Sequence, residues 1–178
     1  MTTELTVLII DNSPSERELY RHCLQQDTKY NYTIVEAATG KSGLESWRQF
    51  QPDVILLDFL LPDVDGLELI DEFKKQIDLQ PRTWLPAAIM ITAQGNEAIA
   101  VQAMKSGIQD YLVKRETTPE ILRSTLHSAV ENVRLRRKLL SSEERFRTSI
   151  ENSLDCFGFY SAVRNKEGNI IDFRFEYV

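Results

Sequence analysis

Thr6-Val7-Leu8-Ile9-Ile10 runs straight into Asp11-Asn12-Ser13-Pro14-Ser15-Glu16. The first five residues are β-branched or aliphatic without a polar break, the mark of a strand buried on both faces. The next six change character. Ser13 suits a helix N-cap, Pro14 the first helical position, and Glu16 the third position of a capping box. The stretch therefore reads as a buried strand, a short polar turn and a helix to about Gln26. Leu19, His22 or Cys23, and Gln26 are expected along one side of that helix.

The same unit recurs along the chain. Thr33-Ile34-Val35 reads as a strand and Ser42 to Phe50 as a helix with Leu44 and Trp47 on one face. Val54-Ile55-Leu56-Leu57 is a second wholly apolar strand, closed by Asp58, and Gly66 to Ile77 is a helix with Leu67, Ile70 and Phe73 inward. Ala87 to Ile91 ends at Thr92, Asn96 to Lys105 is helical, and Tyr111-Leu112-Val113 ends at Lys114. Five such units predict an α/β fold, an open, doubly wound, five-stranded parallel sheet. Right-handed crossovers put every strand C-terminus on one edge, where ligand sites of such folds lie. Asp11, Asn12, Asp58, Thr92 and Lys114 would meet there.

The chain has 178 residues, 42% of them hydrophobic and 27% charged, with a net charge of −6. That composition allows a real core and argues against disorder. An acidic balance disfavours nucleic-acid binding. Two cysteines, Cys23 and Cys156, make no disulfide framework. No apolar run approaches the roughly 20 residues that cross a bilayer. A soluble, cytoplasmic protein without membrane contact is the expectation.

From Thr118-Pro119 a last helix has no Gly or Pro to stop it before Gly158. Through Asn152 it would be about 50 Å long. Leu126, Val133 and Leu140 recur every seven residues, with Leu122, Ala129 and Ile150 on a companion row that Arg136 and Glu143 interrupt. This weak seam could pair two chains. Phe157 to Val163 and Ile170 to Val178 then read as a hairpin around Asn165-Lys166-Glu167-Gly168-Asn169. A lone hairpin is barely stable, so the chain is expected to be part of a longer protein.

Two clustered carboxylates raise each other's proton affinity and suit a hard cation such as Mg²⁺. A carboxylate can also act as nucleophile and become an aspartyl phosphate. A lysine and a metal ion would neutralise charge on the transferred group, and a hydroxyl could bond one of its oxygens.

The sequence resembles the response-regulator receiver domain of two-component signalling, with a flavodoxin-like fold. The matching stretches are Ile9 to Ser13, Pro52 to Asp58 with Leu61 to Gly66, Ile91-Thr92-Ala93, Ala103 to Gly107, and Asp110 to Lys114. The resemblance implies that Asp58 is the phosphoacceptor, phosphorylated by a histidine kinase or phosphotransfer protein. Asp11 and Asp58, with the carbonyl of Leu60, would hold Mg²⁺. Thr92 would be the switch hydroxyl, Lys114 the conserved lysine and Tyr111 the aromatic that changes rotamer. Tyr111 is equally readable as a packed aromatic.

Two positions depart from the family. Asn12 stands where a second acidic residue is usual; it can ligate Mg²⁺ through its amide oxygen or serve only as a turn residue. Arg115 replaces a proline that commonly follows a cis bond, so a trans, differently shaped loop is expected. Leu60 and Gln94 flank the pocket and are expected to influence how long the phosphate lasts.

Ser141 to Arg147 with Ile150-Glu151-Asn152 resembles the lead-in to a PAS domain, with Asp155 to Val178 as its first two strands. The expected organisation is a receiver over 1–125, a helical linker or coiled coil over 126–152 and a truncated PAS hairpin over 153–178. Any kinase or cyclase output would lie past residue 178. The rival reading is a degenerate pseudo-receiver that docks or dimerises without phosphorylation, and a DNA-binding regulator ranks behind both. His127 lacks the acidic and arginine flank of a kinase phosphoacceptor. His22 reads as a helix-face residue, Arg134 to Lys138 as a solvated face, Trp47 and Trp84 as packing or loop residues, and Asp63 and Asp65 as turn and cap residues.

Overall fold

The computed structural model describes residues 3–78, 86–93, 95–151 and 159–176, without the side chains of 149–151, 159 and 175. Trp84, Gln94, Cys156, Phe157 and Gly158 lie outside the described residues. The described chain divides into two compact units, Met1–Leu135 and Arg136–Val178.

In the first unit five strands alternate with helices: β1 (Thr3–Ile10), α1 (Pro14–Gln25), β2 (Tyr30–Ala37), α2 (Gly40–Phe50), β3 (Val54–Asp58), α3 (Gly66–Asp78), β4 (Ala87–Thr92), α4 (Glu97–Lys105) and β5 (Asp110–Val113). A 3₁₀ turn over Lys114–Glu116 leads into α5 (Pro119–Glu151). All strand pairings in this sheet are parallel and the order is β2-β1-β3-β4-β5. This is the flavodoxin-like doubly wound order, with the chain reversing direction across the sheet beside β1 and β3.

Period-two alternation sorts each apolar strand between two cores. Leu5, Val7, Ile9, Val54, Leu56, Ile89 and Ile91 face α1 and α5. Leu8, Ile10, Ile55, Leu57 and Met90 face Trp47 of α2, Ile70 and Phe73 of α3, and Ala103 of α4. Phe73 is fully buried, with its ring centroid 5.2 Å from that of Trp47. Truncating such a phenylalanine to alanine costs about 3–5 kcal/mol.

Several local expectations are corrected. The inner side of α1 is Tyr20, Cys23 and Leu24, whereas Leu19 faces solvent. Two leucines five positions apart compete for the core, and the ring of Tyr20 goes in with Leu24. The predicted capping box at Ser13 is half formed. Ser13 Oγ accepts from the Glu16 N–H at 3.4 Å, but the Ser13 N–H donates to Asp11 Oδ1 at 2.8 Å and is not free for Glu16. A reciprocal box forms instead at Thr39 and Ser42, which start α2 two residues early. Asp63 caps a helix, but not its neighbour: its carboxylate accepts from the N–H groups of Gly40 and Lys41 at the head of α2. Asp65 caps α3 through Leu67 and Glu68.

The seam expected on the last helix is also revised. Leu122, Leu126, Ala129 and Val130 are buried against the sheet, and Val133 packs on the same core. That row is consumed by the first unit and cannot face another chain over this length.

In the second unit β6 (Phe159–Arg164) and β7 (Ile170–Glu176) pair antiparallel. Gly168 takes φ +85° in the turn, where Asn165 Oδ1 accepts from the N–H groups of Glu167 and Asn169.

Candidate functional site

Parallel strands bring the ends of β1, β3, β4 and β5 to one edge. Asp11 follows β1 directly, Asp58 closes β3, Thr92 closes β4 and Lys114 follows β5. All three of Asp11, Asp58 and Thr92 are buried. Lys114 Nζ donates to Asp11 Oδ2 at 2.7 Å and to Asp58 Oδ2 at 2.9 Å. One ammonium thus joins residues 103 and 56 positions away in the chain.

Asp11 is held on three sides. Its Oδ1 accepts from the Ser13 N–H, its Oδ2 from Lys114, and its main-chain carbonyl accepts from Arg17 Nη1 at 2.6 Å. Arg17 Nε is bonded in turn to Glu36 of β2 at 3.0 Å. Sequence reasoning missed Arg17. Its position in the first turn of α1, six residues past Asp11, was the available signal.

Asp58 is less engaged. Its Oδ2 accepts from Lys114, and among the described residues its Oδ1 has only a long contact of 3.4 Å from the Leu60 N–H. Burial pushes the Asp58 carboxyl above the ordinary range; the Lys114 hydrogen bond opposes that and the Asp11 charge adds to it. Burial alone would pull the Lys114 ammonium down, but its bonds to Asp11 and Asp58 outweigh this and hold it above the usual value. The two directions conflict only in form: for Asp58, desolvation exceeds the gain from its partner.

Thr92 lies at the edge beside this cluster, since Ile91 pairs with Asp58 and Thr92 with Val113. Asn12 and Leu60 are exposed at the rim. Tyr111 is half-buried and packs with the α2–α4 core. The peptide bond after Lys114 is trans, as expected with Arg115 in the next position.

Two buried carboxylates at one edge make a hard-oxygen donor set that fits Mg²⁺. Among the described residues there is no group of three or more His, Cys, Asp or Glu side chains suited to a metal. A metal held there would take further ligands from the Leu60 carbonyl, the Asn12 amide or water.

A second polar cluster lies at the opposite edge. Asp27, between α1 and β2, accepts from the Tyr32 hydroxyl at 2.5 Å and from His127 Nε2 of α5 at 2.5 Å. Nothing in the local sequence marked it.

No described helix is long and apolar enough to cross a membrane. A family model described as the response regulator receiver domain matches residues 7–126. The chain is 34% identical over 121 residues to the transcriptional regulatory protein ResD of Bacillus subtilis, covering 68% of this chain and 46% of that one. It is 28% identical over 109 residues to the chemotaxis protein CheY of Thermotoga maritima, covering 61% of this chain and 83% of that protein. The signal receiver domain of a LuxO repressor protein from Vibrio parahaemolyticus superposes with a TM-score of 0.65 at 25% identity, over 76% of this chain and 97% of that one. The chain thus spans less than half of ResD and most of that CheY.

Proposed function

The chain belongs to the response regulator receiver family through residues 7–126, and from that premise we propose that Asp58 is its phosphoacceptor in two-component signalling. The observation that carries this reading is the Lys114 ammonium seated between Asp11 and Asp58, with Asp58 Oδ1 left almost unengaged. A histidine kinase or phosphotransfer protein supplies the phosphoryl group. Asp58 Oδ1 attacks phosphorus, the bond to the donor breaks, and Lys114 turns from carboxylate partner to partner of a phosphoryl oxygen. Asp11, Asp58, the Leu60 carbonyl and Asn12 would hold Mg²⁺, which supplies neutralisation of charge on the transferred group.

The new dianion would draw the Thr92 hydroxyl toward it and free Tyr111 to repack. Tyr111 sits in β5 and packs with the core that holds Ala103 of α4, so α4, β5 and the start of α5 would respond as a shift between two packings. The Ser141–Arg147 lead-in and the β6–β7 hairpin support reading the second unit as the opening of a PAS domain. A cytoplasmic location and a dimer through the long helix complete the reading.

Intact mass after incubation with acetyl phosphate and Mg²⁺ tests it. Wild type gains one phosphoryl adduct and Asp58→Asn gains none. A wild type without an adduct at any Mg²⁺ level favours the second reading, a pseudo-receiver, which the exposed amide at Asn12 supports.

A further inference from the structure

Helix α5 carries a second, exposed apolar stripe. Leu135, Leu139 and Phe146 are each more than half exposed. At 3.6 residues per turn, Leu139 lies about 40° and Phe146 about 20° from Leu135 around the helix, with Ser142 beside them. They therefore share one narrow face, distinct from the Leu122–Val133 row that packs on the sheet.

In heptad terms Leu139 and Phe146 take position a, together with Asn132, and Leu135 and Ser142 take d. The flanking positions are informative. Glu131 and Lys138 fall at g, Arg136 and Glu143 at e, and all four are exposed. In a parallel, in-register pair each g residue faces the e residue five positions on in the other chain. Glu131 then meets Arg136 of the second copy, and Lys138 meets Glu143 of the second copy. Both pairs are of opposite sign. An asparagine at a is the residue that sets register and favours two strands.

We propose that this stripe is the seam of a parallel, in-register two-stranded coiled coil between two copies of this chain. The occupant is a second copy because the face is complementary in charge to itself at the offset such a pair requires. Asn132 to Phe146 covers about 21 Å of helix, only about two heptads, so association is weak and concentration-dependent. The proposal deepens the dimer reading given above. It rests on α5 and not on phosphorylation of Asp58, and it stands or falls separately from it.

Sedimentation equilibrium of the unphosphorylated chain tests it. The expected result is a reversible monomer–dimer equilibrium that Leu139→Arg weakens at least about tenfold. Lys138→Glu weakens it by about fivefold, and the double variant Lys138→Glu, Glu143→Lys restores it, since the pair is re-formed with its signs exchanged. All these sites are exposed, so circular dichroism should show unchanged folding. Leu139→Cys, made with Cys156→Ser, should form a disulfide-linked dimer on oxidation because a parallel pair sets the two thiols opposite. A chain that stays monomeric at about 0.5 mM overturns the proposal. So does a dimer that Leu139→Arg leaves intact, that the charge swap fails to restore, or that Leu139→Cys does not trap.

Discussion

His127 Nε2 lies 2.5 Å from Asp27 Oδ2, across 100 positions of chain, and ties α5 to the turn between α1 and β2. The Tyr32 hydroxyl shares the same carboxylate oxygen, and the Tyr30 ring meets the imidazole edge-on at 5.0 Å. Burial alone would raise the Asp27 carboxyl, but the hydrogen bonds from Tyr32, Lys29 and His127 prevail and hold it below the ordinary carboxylate range. A depressed folded value stabilises the fold above the unfolded value near pH 4, and that contribution is lost as pH falls through the lower folded value. Asp27→Asn should therefore cost about 1–3 kcal/mol at neutral pH. The gap to wild type should narrow below about pH 4 in urea titrations. Parallel pH profiles of the two proteins would sink this account.

Lys114→Met removes the ammonium that bonds both Asp11 and Asp58 and leaves two buried carboxylates without it. Breaking such a group by deleting one member costs about 3–5 kcal/mol, and Lys114 is buried enough for that range to apply. The Asp58 carboxyl already sits above its ordinary value and would rise further. A raised folded value means that stability increases as pH falls toward the unfolded value. The variant should thus recover part of its loss as pH falls from neutral toward the unfolded value, while wild type changes less. Equal losses across that range would show that the carboxylates do not repel across the vacated position.

The strands were legible because a parallel sheet covered by helices on both faces needs continuous apolar runs, and Thr6–Ile10, Val54–Leu57 and Ala87–Ile91 supply them. The strand-end residues followed from topology once the strands were placed. Contacts between distant segments left no such trace. Asp63 was readable as a cap, but the helix it caps begins 23 positions earlier. His127 gave no sign of Asp27. On α5 two stripes overlap in period, and sequence alone could not say that the fold itself consumes Leu122, Leu126 and Ala129 and leaves Leu135, Leu139 and Phe146 outside. On α1 the same ambiguity grouped Leu19 with Cys23 on one side, whereas the fold buries Cys23 with Tyr20 and leaves Leu19 exposed.

Asn12→Asp adds a third carboxylate to the rim beside Asp11 and Asp58. Without metal, the added like charge should lower stability by about 0.5–1 kcal/mol, because Asn12 is exposed and water screens it. With Mg²⁺ the sign reverses, and affinity should rise about tenfold by calorimetry. An unchanged dissociation constant would place position 12 outside the metal's reach.

Gly43 of α2 is pressed against the tip of β1. A Cβ there would sit 2.6 Å from Ile10 Cδ1 and 3.2 Å from both Ile10 Cγ1 and Cγ2. Ile10 is fully buried, so its side chain has no open space to move into. Gly43→Ala should cost about 1–3 kcal/mol by overpacking. Because Ile10 immediately precedes Asp11, the strain acts next to the site, and acetyl phosphate modification of Asp58 should slow as well. Ile10→Val removes the Cδ1 atom that makes the closest contact, at about 0.5–1.5 kcal/mol on its own. Combined with Gly43→Ala it should cost less than the sum of the two changes, the coupling expected of side chains in direct contact. Strict additivity would mean that α2 moves away from β1 as a body, and the modification rate should then be unaffected.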